Sequence, residues 1–226
     1  MRISVLIFKN YLRQITIKEY LIMALIHVPL SVVILVMVFA EKQDTFINVF
    51  LNKYPYLFAS QSFISGLLSW DIEIYAGIYP YMHAKPHKLV LSRTLYFVMR
   101  MLPITFFSIL LFIIFGENLY GVVHILLLMV VMGLLGIGFA LSYGFNSEKS
   151  LNNINHLSIW ILSLTPGIAI PVNSGLSPYL SLIFPQNVSS VDEFMIELLK
   201  LASYLTLAVF LIYKGCQPSG RMYFRK

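Results

Sequence analysis

Apolar residues in this chain arrive in runs, not as the single stripe of period 3.6 that a helix with one wet face would show. The hydrocarbon core of a bilayer is about 30 Å thick, so one helical crossing takes roughly 20 mostly apolar residues. Runs of that kind read as spans at 21–39, from 51 or 54 to 69, and at 95–115, 121–143, 157–170 and 195–213. Six such helices use about 120 residues, and in a chain of 226 the remainder suffices for loops but not for a second globular domain. Composition agrees: charged residues make up 12%, where a soluble domain would carry about a quarter. The expected fold is an all-α polytopic membrane protein with six transmembrane helices, residues 1–226 forming one domain.

Two flanking segments need separate treatment. In 1–20, Val5, Phe8, Leu12 and Ile15 follow helical spacing while Lys9, Arg13 and Lys18 fall elsewhere on the wheel. This predicts an N-terminal helix lying in the membrane interface. No small-residue cleavage site comes after it, which argues against a removable signal peptide. The stretch 171–193 carries Pro171, Gly175, Pro178 and Pro185 among apolar residues. Prolines at that density forbid one continuous helix, yet the stretch is too apolar for a water-facing loop. Irregular backbone at membrane depth survives only if packed in protein or lining a cavity. The segment therefore reads as a broken re-entrant piece before the last span, or as an ordered external cap.

Charge sets the expected orientation. Of the 16 Lys and Arg residues, all but Lys42, Lys53 and Lys200 fall on the side of this topology that holds both ends of the chain. The opposite side collects Glu41, Asp44, Glu117, Asp192, Glu193 and Glu197. The bias of Lys and Arg toward cytoplasmic loops predicts a multi-pass protein of a bacterial or archaeal cytoplasmic membrane with both termini in the cytoplasm. The net charge of +6 then belongs with anionic lipid headgroups and not with nucleic acid. A single cysteine, Cys216, excludes a disulfide framework and a Cys-based metal cluster.

The most unusual segment is 70–94, between the second and third spans. It holds Asp71, Glu73, Gly77, Tyr79, Lys85, Pro86 and Arg93. Acids at a cytoplasmic boundary run against the usual cationic bias there. A solvated helix end is the plain alternative, and for Tyr79 and Tyr81 the alternative is anchoring in the headgroup belt. Glu73 followed by Gly77, the apolar Ile78 and Tyr79, then Lys85-Pro86 and Arg93, resembles the first cytoplasmic loop of type-2 ABC exporter permeases. Residues 1–20 and 171–193 are similar in position and character to that family's interfacial helix and re-entrant segment.

The resemblance implies an ATPase-coupling role for Asp71, Glu73, Gly77, Tyr79, Lys85 and Arg93. A helix wedged into a partner's groove can turn closure of that partner into rocking of the spans. It also implies a separate ABC ATPase subunit as partner, which binds ATP and Mg, and a second permease copy, identical or homologous. No cofactor is expected in this chain, because it lacks the G-x-x-x-x-G-K-[ST] phosphate loop. The glycines at Gly133, Gly136 and Gly138 lie in an apolar run with no Lys and suit close helix approach. The cargo implied is apolar or amphipathic: a peptide, a lipid-linked molecule or a drug. The readings set against this one are an intramembrane enzyme acting on lipid or peptide, and a non-transporting immunity or assembly protein.

Other polar residues have simpler expectations. His83 and His87 are four apart, but Pro86 falls between them and no Glu follows His83, so a zinc site is not expected. His27 and His124 stand alone in or near spans, where hydrogen bonding is the expected role. Glu193, Glu197 and Lys200 share one helical face near the start of the last span. They read as an ion pair with a snorkelling lysine, or as an external polar face lining an exit. Ser60, Ser62, Ser65 and Ser69 recur along the second span and suit interhelical hydrogen bonds or a mildly polar pathway.

Overall fold

The computed structural model describes residues 46–67, 86–115, 118–143 and 188–217, with isolated positions 9, 69, 185 and 186. Within them the chain forms four long helices: α1 (Phe46–Leu67), α2 (Pro86–Ile114), α3 (Leu119–Tyr143) and α4 (Val191–Cys216). Three helical stretches are long and apolar enough to cross a membrane: Val90–Ile114, Leu119–Ser142 and Val191–Cys216. They are what the spans of a helical membrane protein require. Helix α1 is also long enough, at 22 residues, but Asn48, Asn52, Lys53 and Gln61 dilute its apolar character.

Each helix start has a local cause. Proline at Pro86 opens α2, where a missing N–H costs nothing and the fixed φ suits the first turn. Asn118 caps α3: its Oδ1 accepts the Gly121 N–H at 2.9 Å, and its backbone carbonyl accepts from Val122. Ser190 caps α4 in a capping box, its hydroxyl accepting from the Glu193 N–H while Glu193 reaches back to the cap. The two caps are tied together, because Asn118 Nδ2 donates to the Ser189 carbonyl at 2.8 Å.

Helix α3 is central and touches the other three. Against α4 it runs parallel. Asn118 meets Ser189, the Tyr120 and Phe194 rings lie 5.5 Å apart, and Ser142 donates to the Leu211 carbonyl at 2.6 Å. Helix α2 runs antiparallel to α3, with Thr105 against Met129 and Phe97 against Gly133. Tyr54 of α1 sits beside Ser108 and Phe112, while Gly66, twelve residues on by number, abuts Gly133 near Phe97. So α1 is antiparallel to α2 and parallel to α3. The N-termini of α1, α3 and α4 thus share one end of the bundle, where the first turn of α4 places its acids Asp192 and Glu193. The other end holds the first turns of α2, with Lys88, and the last turn of α4, with Lys214.

Glycines make the packing possible. A Cβ at Gly66 would lie 2.1 Å from the Gly133 carbonyl oxygen, and one at Gly136 would lie 2.0 Å from that of Phe63. Backbones of α1 and α3 are therefore in direct contact, as close helix approach through small residues requires. The core fills in around Tyr54, Phe58, Phe97, Met101, Phe112, Ile125 and Leu128, all fully buried or nearly so. Within it, Ser108 donates to the Ile104 carbonyl, which leaves the Tyr54 hydroxyl as donor to Ser108 Oγ at 2.6 Å.

Element bounds differ from expectation at two places. Helix α1 begins before the expected second span and ends at Leu67. Helix α2 begins nine positions before the expected third span, since helix geometry continues through His87, Lys88 and Arg93, where a hydropathy reading stops. The interfacial helix 1–20, the first span, the fifth span and the re-entrant segment up to 184 lie outside the described residues.

Candidate functional site between α3 and α4

A buried group of ionisable side chains lies at the acidic end of the bundle. Glu197 of α4 is 3% exposed and His124 of α3 is 1% exposed. His124 Nε2 stands 3.4 Å from Glu197 Oε2. Lys200, one turn along α4, donates through Nζ to Glu197 Oε1 and is 12% exposed. The parallel register of the two helices brings His124 and Glu197 to one depth, each roughly two turns inside its capped start, with Lys200 a turn further along α4. The buried Ile125 and Leu201 adjoin it in sequence, and Tyr204 lies half-buried a turn below Lys200.

The two oxygens of Glu197 differ in their partners. Oε1 holds the lysine ammonium, whereas neither Oε2 nor the facing His124 Nε2 has a hydrogen bond. With His124 neutral, the group carries one negative and one positive charge and balances. A carboxylate in apolar surroundings needs such a counter-ion, because an isolated charge there is several kcal/mol costlier than in water. Ionisable residues at membrane depth mark sites of function or of helix assembly.

The residues singled out in the sequence meet different fates in the structure. Glu193 does not join the group: it is exposed, and its Oε2 accepts from the Ser189 N–H, the Ser189 hydroxyl and the Ser190 N–H. Its work is to cap α4. Glu197 and Lys200 turn inward, and His124 meets them from a helix 73 positions away in sequence. The only hint of His124 was its being the lone charged-type residue in the run 119–143. Hydrogen bonding was the expected role for this ring; its Nε2 faces Glu197 Oε2 at 3.4 Å without making a hydrogen bond.

Arg93 lies two turns inside α2 and is fully buried. Asp71, Glu73, Gly77, Tyr79 and Lys85 lie outside the described residues. Of the serines on the second span, Ser62, Ser65 and Ser69 are buried; Ser62 and Ser69 make no hydrogen bond through their hydroxyls. No group of three or more His, Cys, Asp or Glu suited to a metal ion occurs among the described residues. No family model, curated protein or solved structure matches the chain.

Proposed function

We propose that this chain is the membrane-spanning subunit of an ATP-driven exporter of the type-2 ABC class, paired with a second permease copy and powered by a separate ATPase. The observation that supports the reading is where the charged stretch is tethered. Helix α1 ends at Leu67 and α2 begins at Pro86 at the same end of the bundle. The stretch bearing Asp71, Glu73, Gly77, Tyr79 and Lys85 therefore connects two helix ends on the side where Lys88 and Lys214 lie. By the bias of Lys and Arg, that side is the cytoplasm, where an ATPase would dock.

In this reading the stretch after α1 seats in a groove of the ATPase, with Tyr79 as an apolar anchor and Lys85 at the rim. Nucleotide-driven closure of the partner pushes on the shared end of α1 and α2. Because the backbones of α1 and α3 touch at Gly66 and Gly136, a push on α1 is passed to α3 as a rigid body. The cargo is apolar or amphipathic. Arg93, the last residue of the motif, is buried within α2.

The test is co-purification from native membranes. The wild-type chain should bring down a nucleotide-binding ATPase subunit, and Glu73→Lys should lose it while still reaching the membrane. A wild-type chain that purifies with no ATPase would sink the reading. Retained pull-down with normal export in the Glu73→Lys variant would remove the coupling role from that residue.

A further inference from the structure

We propose that Asp71 is the counter-ion of Arg93, so that the first acid of the charged stretch is held within the chain and not offered to a partner. The pair rests on the α1–α2 geometry alone; only its use in coupling depends on the ATPase reading. Arg93 is permanently charged and fully buried, which keeps its guanidinium from water and from lipid headgroups. A buried cation needs a carboxylate beside it, as Lys200 has in Glu197. Among the described residues the acids are Asp192, Glu193 and Glu197, and all three lie toward the opposite end of the bundle. Phe97 stands against Gly133. Arg93 is four positions nearer the basic end, while His124, level with Glu197, is nine positions from Gly133 the other way. At 1.5 Å per residue, Arg93 and Glu197 are about 20 Å apart along the bundle. The carboxylate therefore comes from a connection at the basic end.

Chain length selects Asp71. Gly66 abuts Gly133 and so shares the level of Phe97. Ser69, three positions on, is still fully buried, which keeps the chain just past α1 inside the bundle at the level of Arg93. Asp71 follows two positions later, and two residues span at most about 7 Å. Arg93 and Phe97 are four apart and share one face of α2. That face is turned to Gly133, and so toward the end of α1. The Ser69 hydroxyl is buried and makes no hydrogen bond, which leaves it as a further donor for a carboxylate at this level. Glu73 comes two residues after Asp71, and Glu148 follows the end of α3 at Tyr143 by five. Neither is tied so closely to a buried residue.

The pair acts as a pin, fastening the chain just past α1 to α2 two turns from its start. A force on the charged stretch then reaches α1 through the backbone and α2 through the ion pair, and Glu73 is left as the acid that a partner can meet.

The experiment is thermal unfolding of the full chain in detergent, run as a cycle of neutral replacements. Arg93→Met and Asp71→Asn should each lower the midpoint by several degrees, because each leaves the other charge buried and unpaired. The double variant should be more stable than Arg93→Met alone, since no unpaired charge remains. Glu73→Gln or Glu148→Gln in place of Asp71→Asn should bring no such recovery. Should Arg93→Met not fold, the expected result is that adding Asp71→Asn restores folded protein. An Asp71→Asn midpoint equal to that of the wild type overturns the proposal. So does a double variant no better than Arg93→Met alone, or recovery brought by Glu73→Gln or Glu148→Gln and not by Asp71→Asn. A wild-type chain that brings down no ATPase leaves these outcomes as they stand and removes only the use of the pair in coupling.

Discussion

Lys200 follows Glu197 by three positions on α4 and donates to it, a spacing at which helical side chains meet. That pair could be read from the sequence. Its burial could not, because one helix by itself does not say which face its neighbour covers. Removing one member leaves the other charged and buried, which in folded proteins costs about 3–5 kcal/mol. Lys200→Met should therefore lower unfolding stability in detergent by an amount of that order. The double variant Glu197→Leu with Lys200→Met should regain most of the loss, since an apolar pair of similar volume is often neutral or better. Equal loss in the double and single variants would show that the pair adds nothing beyond its separate side chains. His124 was legible only as an oddity, one imidazole among the aliphatic residues of α3. What it faces depends on the register of α3 against α4, which no local pattern encodes.

At the scale of the element, the glycines divide by what surrounds them. Gly66 and Gly136 meet backbone of the facing helix, and no rotamer change can make room. Gly133 meets the ring of Phe97, a side chain that can be replaced. Gly136→Ala should loosen the α1–α3 contact by about 1–3 kcal/mol, the usual cost of overpacking, and no single side-chain substitution should rescue it. Gly133→Ala should be rescued by Phe97→Leu, as thermal unfolding in detergent would show. The cap of α4 is a smaller lever. Ser190→Ala removes the hydroxyl that accepts the Glu193 N–H and should cost about 0.5–2 kcal/mol, read in the same assay. The role of small residues on α3 was legible as a glycine-rich apolar run. Where α2 begins was not, because Lys88 and Arg93 look like loop residues to a hydropathy rule. Helix formation depends on backbone hydrogen bonds, and Pro86 suits the first turn whatever the polarity of the side chains after it.

For the whole molecule, direction is the deciding property. Helices α1, α3 and α4 point one way and α2 the other. Cys216 closes α4 at the basic end, and Asp192 opens it, exposed, at the acidic end. If the basic end faces the cytoplasm, as the bias of Lys and Arg predicts, an impermeant maleimide added to intact cells should leave Cys216 unmodified until the membrane is opened. The same reagent should label Asp192→Cys in a Cys216→Ser background. The opposite pattern would invert the molecule and place the charged stretch after α1 outside, away from any ATPase. By itself the sequence determined that long apolar helices form and which of their ends are basic, because both depend on hydrophobicity and charge counted along the chain. Only the tertiary structure decided that Arg93 is buried, that Glu193 caps while Glu197 turns inward, and that His124 stands opposite it. Those outcomes depend on how helices distant in sequence are rotated and slid against one another, and backbone contact at Gly66, Gly133 and Gly136 is what holds α1 against α3.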